Sequence, residues 1–303
     1  MKSTLPKVLH PLLGRPLLAH VIDIVRDGGI NDVVVVIGHG AEQVREAFRD
    51  TGIKFVEQSQ QLGTGHAVAC AETAINEDFD NILILCGDTP LFRPETINEL
   101  IQRHETNQNK LSLLTAKFAD PTGYGRIVRS PDGAFRKVVE EKDASRKEKA
   151  ISEVNTGTYL VDRSLLFELV KLLRADNAQG EYYLTDIVEL AVDRNERVEA
   201  YCLATEEEAL GVNSRRQLAQ AEGILLCRIR HKFMDAGVTL SLPETIYIEP
   251  EVDIGRDVFI GPHTIIKSGT RIGEYATIHG HCYISGAVIE PGVTVEPFTV
   301  LKG

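Results

Sequence analysis

A six-residue repeat near the end of the chain constrains the fold more than any other sequence feature. Glycine or another small residue often follows the repeated aliphatic position, as in Ile254-Gly255 and Ile272-Gly273. An aliphatic residue once in every six is typical of a parallel β-helix, whose turns each contain three short faces. The repeat therefore predicts the first rungs of such a helix. Its members are Ile248, Ile254, Ile260, Ile266, Ile272, Ile278 and Ile284.

Before the repeat, segments with helix and strand patterns alternate. Apolar residues at helical spacing follow Pro16, a valine-rich strand covers residues 32–37, and further strands are predicted at 54–57 and 82–85. Such alternation is typical of an α/β, Rossmann-like, doubly wound sheet with parallel strands. The alternation begins with a helix, so we expect the first strand of such a sheet to be missing from this chain.

A long helical segment separates the two patterns. Ser214 is suited to cap its beginning and Gly237 to end it. We therefore expect an α/β domain at residues 1–212, a linker helix at 213–236 and an incomplete β-helix at 237–303.

Composition and charge exclude several classes of protein. The 303 residues carry a formal net charge of −11, which argues against general binding to nucleic acid or to an anionic membrane. The five cysteines are scattered without a CxxC pair, as expected in a reducing compartment. No apolar run approaches the length of a membrane span, and the first residues do not have the pattern of a signal peptide. We expect a cytoplasmic protein.

The stretch NILILCGDTPL, residues 81–91, provides the most informative candidate site residue. Its apolar run predicts a strand buried on both faces, and Cys86-Gly87 then leads to Asp88. Ligands of open parallel sheets bind at the carboxyl ends of the strands, so Asp88 is a candidate metal or phosphate-site residue. The alternative is that Asp88 only caps the turn before Pro90.

Other polar stretches are ambiguous when each is taken alone. The loop Gln61 to Ala67 contains a Gly-Thr-Gly turn before a helix, where backbone amides favour phosphate, but such turns are also common without function. Asn213 is either a ligand or a helix cap, and Lys7 is either functional or an ordinary surface lysine. His66 suits a hydrogen bond at a helix start better than the role of a base. Polar groups also gather in Gly123 to Arg126, at Glu140 and at Asn155.

The order of these motifs resembles one family. It is similar to the bacterial bifunctional N-acetylglucosamine-1-phosphate uridylyltransferase/glucosamine-1-phosphate acetyltransferases, and the resemblance covers essentially the whole chain. The motifs, which precede the hexapeptide repeat, are LPKVLH (5–10), QLGTGHA (61–67), GDTPL (87–91), GYGRI (123–127), EEKDA (140–144), NTG (155–157), GEYYLTD (180–186) and GVN (211–213).

The resemblance implies a role for each matching residue. Asp88 and Asn213 correspond to Mg²⁺ ligands, and Lys7 to a lysine that contacts nucleotide phosphate; Lys7 and Asp88 are thus the implied catalytic residues. Cys86 and Gly87 directly precede Asp88 and are expected to line the substrate-binding site. The remaining implied substrate contacts are Gln61, Gly63 and Thr64 for uridine, and Gly125, Glu140 and Asn155 for N-acetylglucosamine.

The implied reaction joins UTP and N-acetylglucosamine 1-phosphate into UDP-N-acetylglucosamine, a cell-wall and lipopolysaccharide precursor, with release of pyrophosphate. Such a transfer depends on metal, cationic side chains and alignment more than on protein acids and bases. The family assembles through its left-handed β-helix, so the resemblance also implies a homotrimer.

This sequence departs from the family pattern in three respects. The opening strand and its L-A-A-G-x-G-T-R loop have no counterpart, since Met1 stands where the residue after that arginine would be. We therefore expect impaired phosphate binding and two strands without a pairing partner. Cys86 replaces a tyrosine that usually precedes Gly-Asp. The later hexapeptide rungs with the acetyl-transfer residues also have no counterpart, so no acetyltransferase site is expected.

Two alternatives to the uridylyltransferase remain at this point. The first is a catalytically impaired chain that only binds uridine nucleotide or joins a trimer. The second is a different nucleotide-sugar pyrophosphorylase, such as one that uses glucose 1-phosphate, although GYGR, Asn155 and the hexapeptide repeat argue against it.

Overall fold

The structure is a computed structural model that describes residues 1–303. The chain forms two compact units, Met1–His10 with Leu17–Gly211 and Pro11–Pro16 with Val212–Gly303. The segment that interrupts the first unit is a hairpin of strands β1 (Pro11–Leu12) and β2 (Arg15–Pro16). None of the helices is both long enough and apolar enough to cross a bilayer.

The first unit contains alternating helices and strands, as the sequence pattern predicts. After the 3₁₀ helix Lys7–Leu9, its elements are α1 (Leu17–Asp27), β3 (Val34–Ile37), α2 (Ala41–Ala47), β4 (Lys54–Glu57), α3 (Thr64–Ala71), the 3₁₀ helix Glu72–Ala74, β5 (Asn81–Ile84), α4 (Pro94–Thr106), β6 (Leu111–Lys117), β7 (Arg126–Arg129), β8 (Phe135–Val139), α5 (Arg146–Lys149), β9 (Glu153–Asp162), α6 (Arg163–Val170), α7 (Asp186–Asp193), β10 (Val198–Cys202) and the 3₁₀ helix Glu207–Ala209.

The strands of this unit form a parallel two-stranded sheet and a six-stranded sheet of mixed direction. β3 and β4 are parallel, and so are β6 and β10, as the alternation predicts. The long strand β9, however, is antiparallel to β5, β6 and β7. β3 pairs only with β4, and β5 pairs only with β9. Each of these two strands thus has a neighbour along one edge only, in agreement with the expected loss of one pairing partner from two strands.

The apolar run of β5 packs on both faces, as predicted, but its burial is incomplete: Ile82 and Ile84 contact one core cluster, and Leu83 and Leu85 contact the other. Ile82, Leu83 and Ile84 are only partly buried. The physical reason is the pairing of β5, which has a neighbouring strand along one edge only. The carboxyl end of the strand nevertheless leads into Cys86-Gly87-Asp88, where the candidate site begins.

Helices cover both faces of the larger sheet because side chains alternate along its strands. Leu113, Tyr159 and Val161 pack with residues of α6 and α7 in one buried cluster. Leu114 and Leu160 point to the opposite face and pack with residues of α4 and α1. This arrangement is the Rossmann-like layering expected from the sequence.

The second unit begins with a capped helix and continues as a β-helix. Its elements after the hairpin are α8 (Arg215–Asp235), β11 (Thr239–Leu240), the 3₁₀ helix Pro243–Thr245, β12 (Tyr247–Ile248), β13 (Asp253–Ile254), β14 (Phe259–Ile260), β15 (Ile265–Lys267), β16 (Arg271–Ile272), β17 (Thr277–Ile278), β18 (Tyr283–Ser285), β19 (Val288–Ile289), β20 (Thr294–Val295) and β21 (Val300–Lys302). Ser214 caps α8 by accepting a hydrogen bond from Gln217 N at 3.2 Å, and Gly237 follows it with φ +94°.

The repeat forms the left-handed β-helix that the spacing and the family resemblance predict. Three parallel sheets run along it, with the orders β11-β14-β17-β20, β12-β15-β18-β21 and β13-β16-β19. Ile248 pairs with Ile266 and Ile254 with Ile272, so one rung contains three six-residue faces. All seven predicted isoleucines are buried in one common core. The predicted β-helix is therefore confirmed.

The hairpin of β1 and β2 packs into the same core. Leu13 is buried there, and the turn places Leu13 and Gly14 in left-handed conformations, with φ of +46° and +81°. A Cβ atom on Gly14 would lie 2.4 Å from Glu249 Oε1, so a side chain here would have to displace the Glu249 carboxylate, and the positive φ also favours glycine. Nothing in the sequence pattern indicated that residues 11–16 belong with the β-helix.

Candidate functional site

The carboxyl end of β5 places Asp88 opposite Lys7. The turn after β5 is closed by Thr89, whose backbone N and Oγ1 both donate hydrogen bonds to Cys86 O. The Asp88 carboxylate instead accepts a hydrogen bond from Lys7 Nζ, 2.5 Å from Oδ2. Lys7 lies in the first 3₁₀ helix, 81 residues earlier in the chain. The fold thus brings the two implied catalytic residues together.

Gly87 allows this close approach between the loop and the start of the chain. A Cβ atom at Gly87 would lie 3.3 Å from Val8 Cγ1 and 3.4 Å from Leu18 Cδ1. The contact with Val8 is tighter than an ordinary van der Waals separation and the one with Leu18 is at its lower limit, so a side chain here would require these apolar groups to shift.

Cys86 connects Asp88 to the middle of β9. Its Sγ lies 3.8 Å from Gly157 O, and a Cβ atom on Gly157 would be only 2.6 Å from that sulfur. Gly157 has φ +75°, a second reason for glycine at this position. Burial, with a further contribution from the Asp88 charge, raises the pKa of the Cys86 thiol to about 12. Cys86 is therefore a neutral packing group beside the site.

Asn155 lies next to this contact and links β9 to the loop before β7. Its Oδ1 accepts a hydrogen bond from Gly157 N at 3.2 Å, and its Nδ2 donates one to Tyr159 Oη at 2.6 Å. Its backbone N donates to Gly125 O at 2.8 Å. The predicted sugar-site residues Asn155 and Gly125 are thus direct neighbours.

Glu140 completes this part of the site. A Cβ atom on Gly125 would lie 3.5 Å from Glu140 Oε2, so the carboxylate faces the glycine. Glu140 Oε1 accepts a hydrogen bond from Thr185 Oγ1 at 3.1 Å. Burial raises the pKa of Glu140, although the hydrogen bond from Thr185 opposes the shift. Burial and the nearby Glu140 charge also raise the pKa of Asp186 to about 6.

The loop with Gln61, Gly63 and Thr64 is held against the segment 180–184. Thr64 Oγ1 accepts a hydrogen bond from Leu184 N at 3.0 Å, and Gly65 N donates to Tyr182 O at 2.8 Å. Gly63 has φ +107°, and a Cβ atom there would lie 2.6 Å from Tyr182 O. Gln61 and Thr64 are exposed to solvent. A loop fixed by backbone contacts with exposed polar side chains can receive a planar, polar ligand.

His66 does not face this loop as a base. Its Nδ1 lies 2.9 Å from Gln58 Nε2. Gln58 Nε2 also donates a hydrogen bond to Gly63 O at 2.9 Å. His66 therefore fixes the start of α3, in agreement with its sequence-based interpretation as a hydrogen-bonding residue.

Asn213 belongs to the second unit, whereas Asp88 belongs to the first, and its pairing with Asp88 stays a prediction. Its backbone N donates a hydrogen bond to Gln217 Oε1 at 3.0 Å, and the side-chain cap of α8 is the neighbouring Ser214. The helix cap is thus Ser214 and not Asn213.

Sequence reasoning missed the role of Thr185. The motif GEYYLTD is visible in the sequence, but nothing in it indicates which residue reaches Glu140. The hydrogen bond between Thr185 and Glu140 spans 45 residues, and the contacts of Tyr182 and Leu184 with the Thr64 loop span still more. Only the fold shows that this one segment supports both the predicted uridine loop and the predicted sugar residues.

The residues around Asp88 have the chemistry to hold a hard divalent cation. Mg²⁺ prefers oxygen ligands and usually binds through one or two carboxylates together with waters and substrate phosphates. The Asp88 side chain is 16% exposed and already faces a cation, the Lys7 ammonium. A carboxylate with this access fits such a site without a larger set of protein ligands.

Comparison with known proteins identifies two families along the chain. The profile described as MobA-like NTP transferase domain matches residues 1–176. The bacterial transferase hexapeptide profile, with six repeats, matches residues 251–286. The two matches coincide with the Rossmann-like part of the first unit and with the β-helix.

Curated relatives match nearly the whole chain. A bifunctional protein GlmU from an Exiguobacterium species is 45% identical over 300 residues, which cover 99% of this chain and 66% of the relative. The protein of the same name from Halalkalibacterium halodurans has the same identity and coverage. One from Clostridium botulinum is 43% identical over 296 residues, 98% of this chain and 65% of the relative. The chain thus spans about two thirds of the length of these relatives.

A solved structure shares the fold. The crystal structure of a UDP-glucose pyrophosphorylase in complex with UDP-glucose aligns with a TM-score of 0.59, covering 74% of this chain and 91% of its own. The sequence identity is 16%, so this likeness concerns the fold alone.

Proposed function

The chain belongs to the MobA-like NTP transferase family, and from this premise we propose that it transfers a uridylyl group from UTP to N-acetylglucosamine 1-phosphate. A phosphate oxygen of the sugar phosphate attacks the α-phosphorus of UTP. The bond between the α-phosphorus and the bridging oxygen breaks, and pyrophosphate leaves. The products are UDP-N-acetylglucosamine and pyrophosphate, which balance the two substrates.

The observation that carries this proposal is the contact between Lys7 and Asp88 at the end of β5. Phosphoryl-type transfer depends on neutralising charge and on aligning the reactants, not on a protein nucleophile. An ammonium group beside a carboxylate at the carboxyl end of a strand supplies both a phosphate contact and a metal ligand. The similarity to curated relatives named as bifunctional GlmU proteins supports the same activity.

The family's nucleotidyltransferase domain implies a divalent cation, and we propose Mg²⁺ with Asp88 and Asn213 as its protein ligands. The bound cation would neutralise charge on the phosphates of UTP. Lys7 then contacts a phosphate oxygen, because its ammonium group lies directly beside the Asp88 carboxylate. Separating the two side chains requires only rotation of the long lysine stem.

The two ligand moieties occupy different loops in this proposal. The exposed side chains of Gln61 and Thr64 contact the uracil and ribose, and Gly63 lets the backbone approach the ring. Glu140 and Asn155 hold hydroxyl and acetamido groups of the sugar, with Gly125 leaving room between them. Cys86 and Gly87 line the passage between the sugar residues and Asp88.

We also propose that the protein forms a homotrimer through its β-helix. The β-helix carries large apolar side chains that are mostly exposed, including Tyr275 at 63%, Val288 at 67% and Phe298 at 75%. Exposed apolar side chains of this size favour association with another protein surface. Light scattering after size-exclusion chromatography should give three times the mass of the chain, and a monomer at micromolar concentration would overturn this part of the proposal.

The decisive experiment measures pyrophosphate release from UTP with MgCl₂ and N-acetylglucosamine 1-phosphate. We expect turnover that depends on both substrates and that falls at least about 100-fold in Asp88→Asn, because the variant loses the carboxylate charge while keeping its shape. Glucose 1-phosphate serves as the control substrate and should react poorly.

Three outcomes would contradict the proposal in different ways. Near-normal turnover by Asp88→Asn would exclude Asp88 as a metal ligand. Preference for glucose 1-phosphate would favour a different pyrophosphorylase. Binding of uridine nucleotide without any pyrophosphate release would indicate the catalytically impaired alternative.

A further inference from the structure

Arg126 is a fully buried arginine directly beside the predicted sugar site. Arg126 is the first residue of β7 and is only 1% exposed. Its Nη2 lies 2.7 Å from Glu141 Oε2, and its Nη1 donates a hydrogen bond to Tyr124 O. Its Nε has no hydrogen-bond partner within the chain. A buried guanidinium with an unsatisfied nitrogen is expensive to maintain, which suggests a purpose other than stability.

Glu141 extends this contact to the loop before β7. Its Oε2 also accepts a hydrogen bond from Gly123 N at 3.3 Å. Because Arg126 holds the carbonyl of Tyr124 and Glu141 holds the amide of Gly123, the pair fixes two successive residues of the loop. Gly123 has φ +90°, so the loop adopts a conformation that needs such support.

The loop is also anchored on its other side through Tyr124. Tyr124 Oη accepts a hydrogen bond from Gly211 N at 3.2 Å, and the tyrosine ring packs edge-on against Phe118 at 4.7 Å between centroids. The loop is thus held from both sides, and we expect loss of the Arg126–Glu141 contact to shift Gly125, the residue that follows Tyr124.

Gly125 and Glu140 are the residues whose positions this contact determines. Gly125 O accepts the hydrogen bond from Asn155 N, and the glycine faces the Glu140 carboxylate. Glu140 itself is the direct chain neighbour of Glu141. The ion pair between the buried Arg126 and the partly exposed Glu141 thus joins the two segments that supply the predicted sugar contacts.

We propose that Arg126 and Glu141 are positioning residues that set the affinity of the site for the sugar moiety of its ligand. The inference rests on the proposed function, since it concerns the sugar end of the same site. The pair touches neither the Lys7–Asp88 contact nor the loop around Gly63. It therefore acts on the sugar phosphate and leaves recognition of the nucleotide unchanged.

A second ion pair on the same strand provides a matched control. Arg129 is three residues further along β7, and its Nη2 lies 2.8 Å from Glu153 Oε1. Arg129 and Glu153 also form a strand-to-strand arginine–glutamate contact, but neither bonds to the loop of residues 121–125. Glu153→Gln therefore removes the same chemistry without moving the sugar site.

The experiment compares binding of UDP-N-acetylglucosamine and of UDP by calorimetry in the full chain with MgCl₂. The dissociation constant for UDP divided by that for UDP-N-acetylglucosamine measures how much the sugar contributes to affinity. We expect Glu141→Gln to reduce this ratio about tenfold, since small misplacements of binding groups have large effects, while UDP affinity stays within about twofold. Glu153→Gln should leave both affinities unchanged.

Arg126 variants test whether the pair acts as a unit. Arg126→Met should reproduce the effect of Glu141→Gln, and the double variant should be no worse than either single variant, because both remove one interaction. Arg126→Lys keeps a cation beside Glu141 and should recover part of the sugar contribution. If Arg126→Met does not fold, Glu141→Gln still decides the matter, since its side chain is 27% exposed.

Kinetics give an independent readout. In the pyrophosphate-release assay, Glu141→Gln should raise KM for N-acetylglucosamine 1-phosphate and leave KM for UTP unchanged. Equal losses of UDP and UDP-N-acetylglucosamine affinity, or a lowered unfolding midpoint with normal affinities, would overturn the inference and indicate a merely structural pair. Wild-type protein that binds UDP no less tightly than UDP-N-acetylglucosamine would instead overturn the proposed function, and this inference with it.

Discussion

The contact between Gly157 and Cys86 allows a quantitative test of how tightly β9 packs against the Asp88 loop. Gly157→Ala adds one methyl group at a residue with φ +75°, and that methyl carbon would lie 2.6 Å from Cys86 Sγ. Carbon and sulfur cannot approach so closely, so either the thiol or the strand must move. Two separate costs therefore arise, one from the backbone conformation and one from the collision.

The two costs have different magnitudes and can be separated. A left-handed conformation costs an L-residue roughly 1–2 kcal/mol relative to glycine. Overpacking by one methyl group costs a further 1–3 kcal/mol or so. We therefore expect Gly157→Ala to lower the free energy of unfolding by about 2–5 kcal/mol in all.

Gly133→Ala is the matched control for the backbone cost alone. Gly133 has a similar φ of +87°, and a Cβ atom there would meet nothing within 4 Å. Both glycines lie in the first unit, so their variants affect the same unfolding transition. The loss of unfolded-state entropy is common to both variants and cancels in the comparison.

Urea unfolding followed by far-ultraviolet circular dichroism is the suitable assay, since the chain has no tryptophan to report by fluorescence. The two units need not unfold together, so the transition that Gly133→Ala shifts should be the one compared. Adding Cys86→Ala to Gly157→Ala should recover the collision term, about 1–3 kcal/mol of coupling. Equal effects of Gly157→Ala and Gly133→Ala, or no coupling with Cys86→Ala, would refute the argument from packing.

Two further predictions concern other parts of the molecule. Burial and the Glu140 charge raise the folded-state pKa of Asp186 from 3.8 to about 6, so the free energy of unfolding falls as the pH rises through that value. Asp186→Asn should therefore increase the urea midpoint more at pH 8 than at pH 5. An equal increase at the two pH values would contradict this. In the second unit, Gly14→Ala should lower the free energy of unfolding by about 1–3 kcal/mol more than Gly237→Ala, because only the first variant collides with Glu249. Equal urea midpoints for the two variants would show that the hairpin accommodates the added methyl group without cost.

The β-helix could be predicted from the sequence because its contacts repeat. Each isoleucine packs against a residue one rung away, at a spacing of 18 residues for Ile248 with Ile266, so the pattern states the contact directly. The turn after Ile284 is one residue shorter, so Ile272 pairs with Ile289, and the six-residue spacing then continues in a shifted phase to Val295. The same local logic holds for α8, whose cap and stop lie at its two ends.

Strand pairing in the first unit could not be predicted in the same way. An apolar run indicates a strand but says nothing about which strand lies beside it. Ile84 pairs with Tyr159 in antiparallel direction, 75 residues further along the chain. The partial exposure of β5 follows from that one-sided pairing and not from the composition of the strand.

The site shows the same division between local and distant information. The motifs mark where polar loops occur, and the resemblance implies their roles. The contacts that join them, such as Lys7 with Asp88 and Thr185 with Glu140, depend on the fold. The packing of Gly14 on Glu249 was equally invisible, because a hairpin turn predicts nothing about the surface it meets.

The charges of the two ends of the site determine how substrates must lie in the proposed reaction. The Lys7 and Asp88 side chains are 41% and 16% exposed, and an ion pair of this kind contributes only about 0–1 kcal/mol to stability, so it opens at little cost when phosphates arrive. Glu140 is different, because it lies away from the Lys7 ammonium and its carboxylate already accepts a hydrogen bond from Thr185. A phosphate beside Glu140 would be repelled, whereas neutral hydroxyl and amide groups would donate to it. In the proposed reaction we therefore expect the phosphates to lie toward Lys7 and Asp88, and the sugar ring toward Glu140.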